Sequence, residues 1–509
     1  MKNHQRIGLF LAVSVVAVGG LIYELMIGTV SSYLLGNSIL HFSVTIGIFL
    51  SGMGIGSFAA GYLKRDAVKL FIVVESLLGI IGGNCVVLLF ALFTYAFSLF
   101  YLGLGVLVLS IGALIGLEIP LLLRMLQGFT HTHRVVTRVL SLDYLGSLVA
   151  SIVFPLLLLP WLGLLRTSLL VGLMNLTVAG LIHFFFHKET LRKYSLASVL
   201  LVMCWFGLIA ENIGAHYIAD YFDHKLYKDE VVLSQQSPYQ KIVITKFKDD
   251  VRLFLDANLQ FSSKDEYRYH ESLVHIPVSF LPSSHPQNVL ILGGGDGLAA
   301  REVQKYLSVS KITLVDLDKE MTQLATSHHL LTTLNERSLS KGVEIVNQDA
   351  MNFLEANSHS YDLILIDLPD PNHESLAKLY TREFYQLVAH HLSADGVMVT
   401  QATSPFFTNK SFWTIHDTIA ESGLYAKPFH LNVPSFGEWG FVMGAKYELF
   451  NKPPRPLRVT TRFLNDESVQ AEFIFDKDVA KKSSTLEIST LFNPTILEAY
   501  QEETKEWQE

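Results

Sequence analysis

Cysteine is almost absent from this chain: only Cys85 and Cys204 occur, both inside apolar runs. That excludes a disulfide-stapled secreted module and a metal site built on cysteines. Charge is scarce as well. Asp, Glu, Lys and Arg make up 17% of the 509 residues and the mean hydropathy is +0.34, whereas soluble domains carry about a quarter charged residues. The scarcity is confined to one half. Residues 1–213 hold 12 basic and 7 acidic side chains, a net of +5, and the remainder holds 27 and 40, a net of −13. The whole-chain charge of −8 therefore averages two different objects, and disorder, a collagen-like fibre and a single soluble domain are all excluded.

What fills the first half is apolar sequence in stretches long enough to cross a bilayer, about 20 residues each. Seven are expected: 7–31, 39–63, 69–94, 98–123, 140–163, 167–187 and 195–213. The first is too long for a signal-peptide core and lacks a clear cleavage site, so it reads as a retained span. No repeat relates two halves of this region, which counts against a secondary transporter. Lys2, Arg6, Lys64, Arg65, Lys69, Arg124, Arg134, Arg138, Lys188, Arg192 and Lys193 fall in alternate connections, against Arg166 alone in the others. This 11-to-1 bias places the N-terminus in the cytoplasm. Seven full spans would put the acidic half outside; an interfacial or re-entrant seventh segment would keep it inside. Glu24, Glu75, Glu118 and Asp143 lie within spans, where a carboxylate either pairs between helices or marks a functional site. Gly52-Met53-Gly54-Ile55-Gly56 reads as close helix packing.

From about residue 230 the texture changes to short β-branched runs with turns. Strands are expected at 231–234, 241–247 and 251–256, forming a small antiparallel β domain, followed by a helix over 265–280. Strands at 288–292, 311–315, 343–346, 362–366 and 396–400 then alternate with helices, including one over 381–391. Such a series implies an α/β fold with a doubly wound, Rossmann-like parallel sheet. Asp296, Asp316, Asp349 and Asp367 all fall just past strand ends, so they are expected to converge in one cleft.

Gly293-Gly294-Gly295-Asp296-Gly297 follows the first of these strands, where Gly293 and Gly295 let the backbone approach a ligand. Asp316, 19 residues beyond Gly297, is where an acid would bind a ribose hydroxyl pair. Together they point to a nucleoside-containing cofactor. Asp296 would repel a pyrophosphate, which disfavours a dinucleotide and favours an adenosyl-sulfonium compound. The carboxylate tail of S-adenosylmethionine would be repelled too, whereas a decarboxylated tail ends in an ammonium that Asp296 attracts. Asp367 and Asp370 suit a second cation such as a diamine, and a carboxylate in reach can take the proton an amine nucleophile must lose. The sulfonium is already a good leaving group, so no metal is needed.

These residues resemble the spermidine synthases (polyamine aminopropyltransferases), in the membrane-attached bacterial branch. The likeness runs from 239 to 446. It rests on Tyr239-Gln240, Leu255-Asp256 with Gln260, Asp265-Glu266 with Tyr269-His270-Glu271, the glycine turn with Arg301-Glu302, Asp349-Ala350, Asp367-Leu368-Pro369-Asp370-Pro371 and Val433-Pro434-Ser435. The resemblance implies that Asp367 is the proton acceptor and that Asp296, Asp370 and His270 hold amine groups. It also implies that Gln240, Asp316, Asp349 and Ala350 bind the adenosyl part of decarboxylated S-adenosylmethionine, and that Tyr269 and Gln401 line the pocket for putrescine or a related diamine. Three departures are present: Leu368 and Pro369 replace two hydroxyl residues between the acids and Phe436 stands where a Tyr is usual, both bearing on the acceptor, and Asp316 replaces a Glu, a shorter reach to the ribose.

The domains expected are 1–213, a membrane domain; 214–285, a linker and the small β domain; 286–449, the catalytic domain; and 450–509, a C-terminal appendage with no assignable chemistry. His328-His329 and His390-His391 are expected as exposed helix residues. A methyltransferase on the same fold and a non-catalytic polyamine sensor or carrier are the competing readings. The expected setting is a multi-pass protein of a bacterial inner membrane with a cytoplasmic catalytic domain, partnered by the lipid bilayer, by no nucleic acid and by a possible second copy of itself.

Overall fold

The computed structural model describes residues 3–35, 38–63, 66–126, 132–186, 196–282, 285–449, 455–482 and 487–507. Lys2, Lys64, Arg65, Lys188, Arg192, Lys193, Pro453 and Pro454 lie outside the described residues, as do the side chains of Arg6 and Arg134. The chain divides into two compact units, Met1–Pro238 and Tyr239–Glu509.

The first unit is helical, because long apolar runs with few breakers satisfy their backbone polar groups most cheaply within one helix. By length and composition, Gly8–Leu34, His41–Ala60, Phe97–Leu126 and Val135–Phe186 are candidate membrane spans, and the bent pairs Ala67–Gly83 with Cys85–Tyr95 and Ser198–Ile213 with Ala215–Leu226 raise the number to as many as six. Val135–Phe186 is interrupted at Gly163, whose φ of 70° no straight helix contains. At about 1.5 Å per residue its 52 residues would extend roughly 78 Å, more than twice the hydrocarbon core of a bilayer. It thus covers two of the expected segments; the expected 39–63 is helical only as far as Ala60, and the others are helical over nearly all their described residues. The segment expected at 69–94 is not straight; it bends by 45° around Asn84, next to the Gly82-Gly83 pair.

Glycine sets the tightest packing here. A Cβ on Gly52 or Gly56 would fall 2.6 Å from the carbonyl oxygen of Leu109 or 1.9 Å from that of Ala113. One on Gly112 or Gly116 would fall 2.5 Å from that of Phe49 or 2.1 Å from that of Met53. Two small-xxx-small stripes therefore interlock Ser38–Ala60 and Phe100–Leu126 backbone to backbone. Gly54 takes no part, since nothing lies within 4 Å of its absent Cβ. Glu75 and Glu118 face the interior of the unit: Asn175 donates to Glu75 at 2.8 Å, and the Tyr23 hydroxyl reaches Asn175 at 3.2 Å. Pairing between helices is thus what Glu75 does, while Glu24 and Asp143 are half-buried. Strand β1 (Glu230–Gln236) closes the unit.

The second unit opens with β2 (Lys241–Phe247), β3 (Asp250–Leu255) and β4 (Asn258–Ser262), paired antiparallel in sequence. The unexpected β4 follows a two-residue turn in which Asp256 and Ala257 both have positive φ, 46° and 65°. Without a glycine there, the usual signal for a hairpin is missing. The main sheet comprises β5 (Asn288–Gly293), β6 (Lys311–Val315), β7 (Val343–Val346), β8 (Tyr361–Asp367), β9 (Leu392–Gln401), β10 (Tyr425–Val433) and β11 (Gly437–Ala445), in the order β10-β11-β9-β8-β5-β6-β7. Five strands are parallel as expected; β10 and β11 are antiparallel, so the sheet is mixed rather than parallel throughout. The turn at 434–436 is too short for the crossover a parallel strand needs, and Gly437 takes φ 82° to close it.

His391 also departs from expectation. On helix Arg382–His391 it shares the inner face with Phe384 and Val388, and its ring nitrogens lie 2.7 and 2.8 Å from the carbonyl oxygens of His359 and Leu354. The C-terminal residues are not a separate appendage: Ile496 and Leu497 of helix Thr495–Glu506 are part of the sheet's core, and Glu271 accepts the backbone N–H groups of Arg462, Phe463 and Leu464.

If backbone contact drives the glycine packing, Gly56→Leu will lower the midpoint of thermal unfolding of the detergent-solubilised chain by several degrees, equivalent to about 1–3 kcal/mol. Gly54→Leu will leave it within a degree.

Candidate active site

The parallel strands reverse direction of progress between β5 and β8, and ligands of such sheets bind beyond the carboxyl ends at that point. Gly293 of β5 pairs with Asp367 of β8. Gly293 and Gly294 have φ of 84° and 64°, and a Cβ on Gly293 would fall 2.1 Å from the Asp367 carbonyl oxygen, which accepts the Gly294 N–H at 3.1 Å. The glycine turn thus fixes the backbone of Asp367. It fixes Asp316 as well: the Gly295 N–H donates to Asp316 Oδ2 at 3.1 Å, and a Cβ on Gly295 would fall 2.5 Å from that oxygen.

Around this turn the acids converge. Asp316 accepts a second backbone bond from Asp318 at 2.8 Å, and Asp296 accepts the Leu298 N–H at 2.9 Å. Burial, with Asp318 and Asp296 adding to it, pushes the Asp316 carboxyl up to about 7 against the pull of its two N–H donors. Burial likewise pushes Asp296 up to about 6, where nearby His270 pulls it down and Asp367 pushes it up. Tyr269 donates its hydroxyl to Asp367 Oδ1 at 2.7 Å, so it sits on the acid itself. Asp370 accepts from Tyr500 at 2.8 Å and from Gln401 at 3.2 Å, yet burial still holds it up at about 6.

His270 is the cation of the cluster. Its Nδ1 lies 2.8 Å from Glu266 Oε2, and Arg301 clamps both Glu266 oxygens at 2.9 Å. Burial alone would lower the imidazole; Glu266, with Asp296 and Asp367, outweighs it and raises the group to about 9. A ring that carries a proton donates rather than accepts, and here it offsets the charge of the neighbouring acids.

The remaining expected residues are tied to the loops. Gln401 donates to the Tyr380 hydroxyl at 2.6 Å and the Leu368 carbonyl at 2.8 Å, bracing the 368–370 loop, while Tyr380 donates to the Pro369 carbonyl at 2.9 Å. Gln240 donates to Asp318 at 2.9 Å. Asp349 caps helix Ala350–Ala356 and meets Lys378 at 2.6 Å; burial pushes its carboxyl up, but Lys378 and the helix N–H groups more than offset this and hold it below the usual range. Ala350 is buried at the start of that helix. Among the described residues no group of three or more His, Cys, Asp and Glu side chains is placed to hold a metal ion.

With the geometry in place, the chain can be compared with known proteins. Residues 266–452 match the family described as "Spermine/spermidine synthase domain". A "Polyamine aminopropyltransferase" of Oceanobacillus iheyensis is 41% identical over 97% of this chain and 96% of its own, and one of Leptospira interrogans is 40% identical over 97% and 98%. The chain belongs to the polyamine aminopropyltransferase family. Another member, from Mycobacterium tuberculosis, is 37% identical over 96% of this chain and 95% of its own. A solved spermidine synthase from Thermotoga maritima aligns with 29% identity over 50% of this chain and 87% of that one, at a TM-score of 0.46.

Within this aminopropyltransferase, four residues near the acids had no sequence reading of their own as site residues: Asp318, Tyr380, Glu266 as partner of His270, and Tyr500. Asp318 was legible in principle, two residues past Asp316. Tyr500 was not, lying 130 residues from the acid it touches.

A cationic amine binds Asp296 and Asp370 only when they are ionised, and their raised values, about 6 for each, set the window. The affinity for putrescine in titration calorimetry is expected to be flat above about pH 7 and to weaken as pH falls through 6, by up to about tenfold per unit below that. Affinity unchanged down to pH 5.5 would contradict these environments.

Proposed function

We propose that this chain transfers the aminopropyl group of decarboxylated S-adenosylmethionine to a diamine, putrescine in the first instance. The observation that carries the reading is the meeting of Asp296 and Asp367 across the strand reversal, with Asp370 beside them. Three half-buried acids offset by one imidazolium leave a surplus of negative charge, which suits two cationic substrates. Asp316 would bind the ribose, with Gly293 and Gly295 letting the backbone come close; Gln240, Asp349 and Ala350 would border the adenosyl part. Asp296 would hold the ammonium of the aminopropyl arm, and Asp370 the distal ammonium of the acceptor.

Asp367 would take a proton from the attacking amine. The nitrogen lone pair then forms a bond to the aminopropyl carbon, the C–S bond breaks with its electrons going to sulfur, and the sulfonium becomes neutral methylthioadenosine. The displacement yields a longer polyamine and one proton, which leaves through Asp367. Tyr269 holds one oxygen of that carboxyl in place, so catalysis rests on alignment and proton removal. The Asp367→Asn chain, assayed with both substrates, is expected to lose about 10²–10⁴-fold in turnover while retaining adenosyl binding. Absence of methylthioadenosine from the wild-type reaction would overturn the activity, and a wild-type rate in Asp367→Asn would overturn the base.

We further propose that the apolar helices of the first unit span a bacterial inner membrane and that the second unit faces the cytoplasm, where its substrates are made. The distribution of Lys and Arg supports a cytoplasmic N-terminus. The 60° bend between Ser198–Ile213 and Ala215–Leu226 is what a re-entrant last segment would have, and it would return the chain to the side on which it began. Protease added to intact cells is expected to spare the C-terminal half and to cut it after permeabilisation; cleavage in intact cells would reverse the orientation.

A further inference from the structure

The loop between the two acids supplies nothing to Asp370, since Leu368 and Pro369 have no side-chain donor. A buried carboxylate without donors is costly, and it tends to take up a proton and lose its charge. Its donors come instead from two distant places: Gln401 at the end of β9, and the hydroxyl of Tyr500 at 2.8 Å on Oδ2.

The helix that carries Tyr500 is fastened on the same face. Ile496 and Leu497 enter the core, Glu503 accepts the backbone N–H of Lys410 at 2.6 Å and that of Ser411 at 3.0 Å, and the Trp507 indole donates to the Phe407 carbonyl at 3.0 Å. Residues 496, 500 and 503 recur at the helical period with Trp507 capping the end, so one stripe of Thr495–Glu506 covers the loops that follow β8 and β9. Gln501 reaches the Asn372 carbonyl on the same loop.

We propose that Tyr500 is a positioning residue for the acceptor amine, and that the C-terminal helix is a working wall of the acceptor pocket. It acts through Asp370 by aiming that carboxylate and keeping it ionised, in place of the hydroxyls missing at positions 368 and 369. The inference rests on the reading of Asp370 as the holder of the acceptor.

Tyr500→Phe keeps the ring and removes only the donor, so it tests this in the full-length chain in detergent. The expected result is a rise of about tenfold in KM for putrescine, the scale of a hydrogen bond to a charged group. KM for decarboxylated S-adenosylmethionine stays within twofold, the thermal unfolding midpoint does not move, and the acidic limb of kcat/KM for putrescine shifts to higher pH, because a donor that favours the ionised form is gone. An unmoved putrescine KM and acidic limb would overturn the assignment, as would equal changes in both KM values with a lowered unfolding midpoint, which is the mark of a merely structural tyrosine. Wild-type chain assayed alongside separates the two layers: if it releases no methylthioadenosine the proposed reaction fails, whereas an active wild type with an unaltered Tyr500→Phe defeats only the role of Tyr500.

Discussion

The constraint on which the second unit depends is electrostatic: several carboxylates must be held close together, out of bulk water, without all taking up protons. Burial raises Asp296, Asp316 and Asp370, neighbouring acids add to it at Asp296 and Asp316, and the structure counters this with donors rather than with many counter-cations. Backbone N–H groups serve Asp296 and Asp316, Tyr269 serves Asp367, and Gln401 with Tyr500 serves Asp370. A single imidazolium, His270, is kept charged by Glu266, and Glu266 is itself locked by Arg301. The negative charge left over suits the cleft to cations, and a ligand's ammonium groups would complete its neutralisation.

The backbone follows from that requirement. Gly293 and Gly295 are required because β5 must pass within carbonyl contact of Asp367 on one side and carboxylate contact of Asp316 on the other, where any Cβ would collide. The strand reversal brings the ends of β5 and β8 side by side. The antiparallel pair β10–β11 extends the sheet beyond β9, whose last residue, Gln401, braces the acidic loop.

The first unit obeys a different rule. Among its apolar helices close packing depends on shape, and the interlocked glycines of Ser38–Ala60 and Phe100–Leu126 supply it. Its buried polar groups satisfy one another, as Tyr23, Asn175 and Glu75 do.

By itself the sequence determined the apolar helical character of the first half, the alternation of β5 to β9 with helices, and the placing of Asp296, Asp316, Asp349 and Asp367 at strand ends. These are consequences of local periodicity and of the rule that loops follow strands, so they can be read residue by residue. The β3–β4 hairpin escaped because its turn has no glycine, and His391 because a helix of moderate polarity does not declare which histidine it turns inward. Only the tertiary structure decided that His270 is a counter-cation, that Asp349 is committed to a helix cap and Lys378, and that the C-terminal helix brings Tyr500 to Asp370. The physical reason is common to all three: a carboxylate's partner is chosen by distance in space, and a donor 130 residues along the chain leaves no trace in the spacing of the acid it serves.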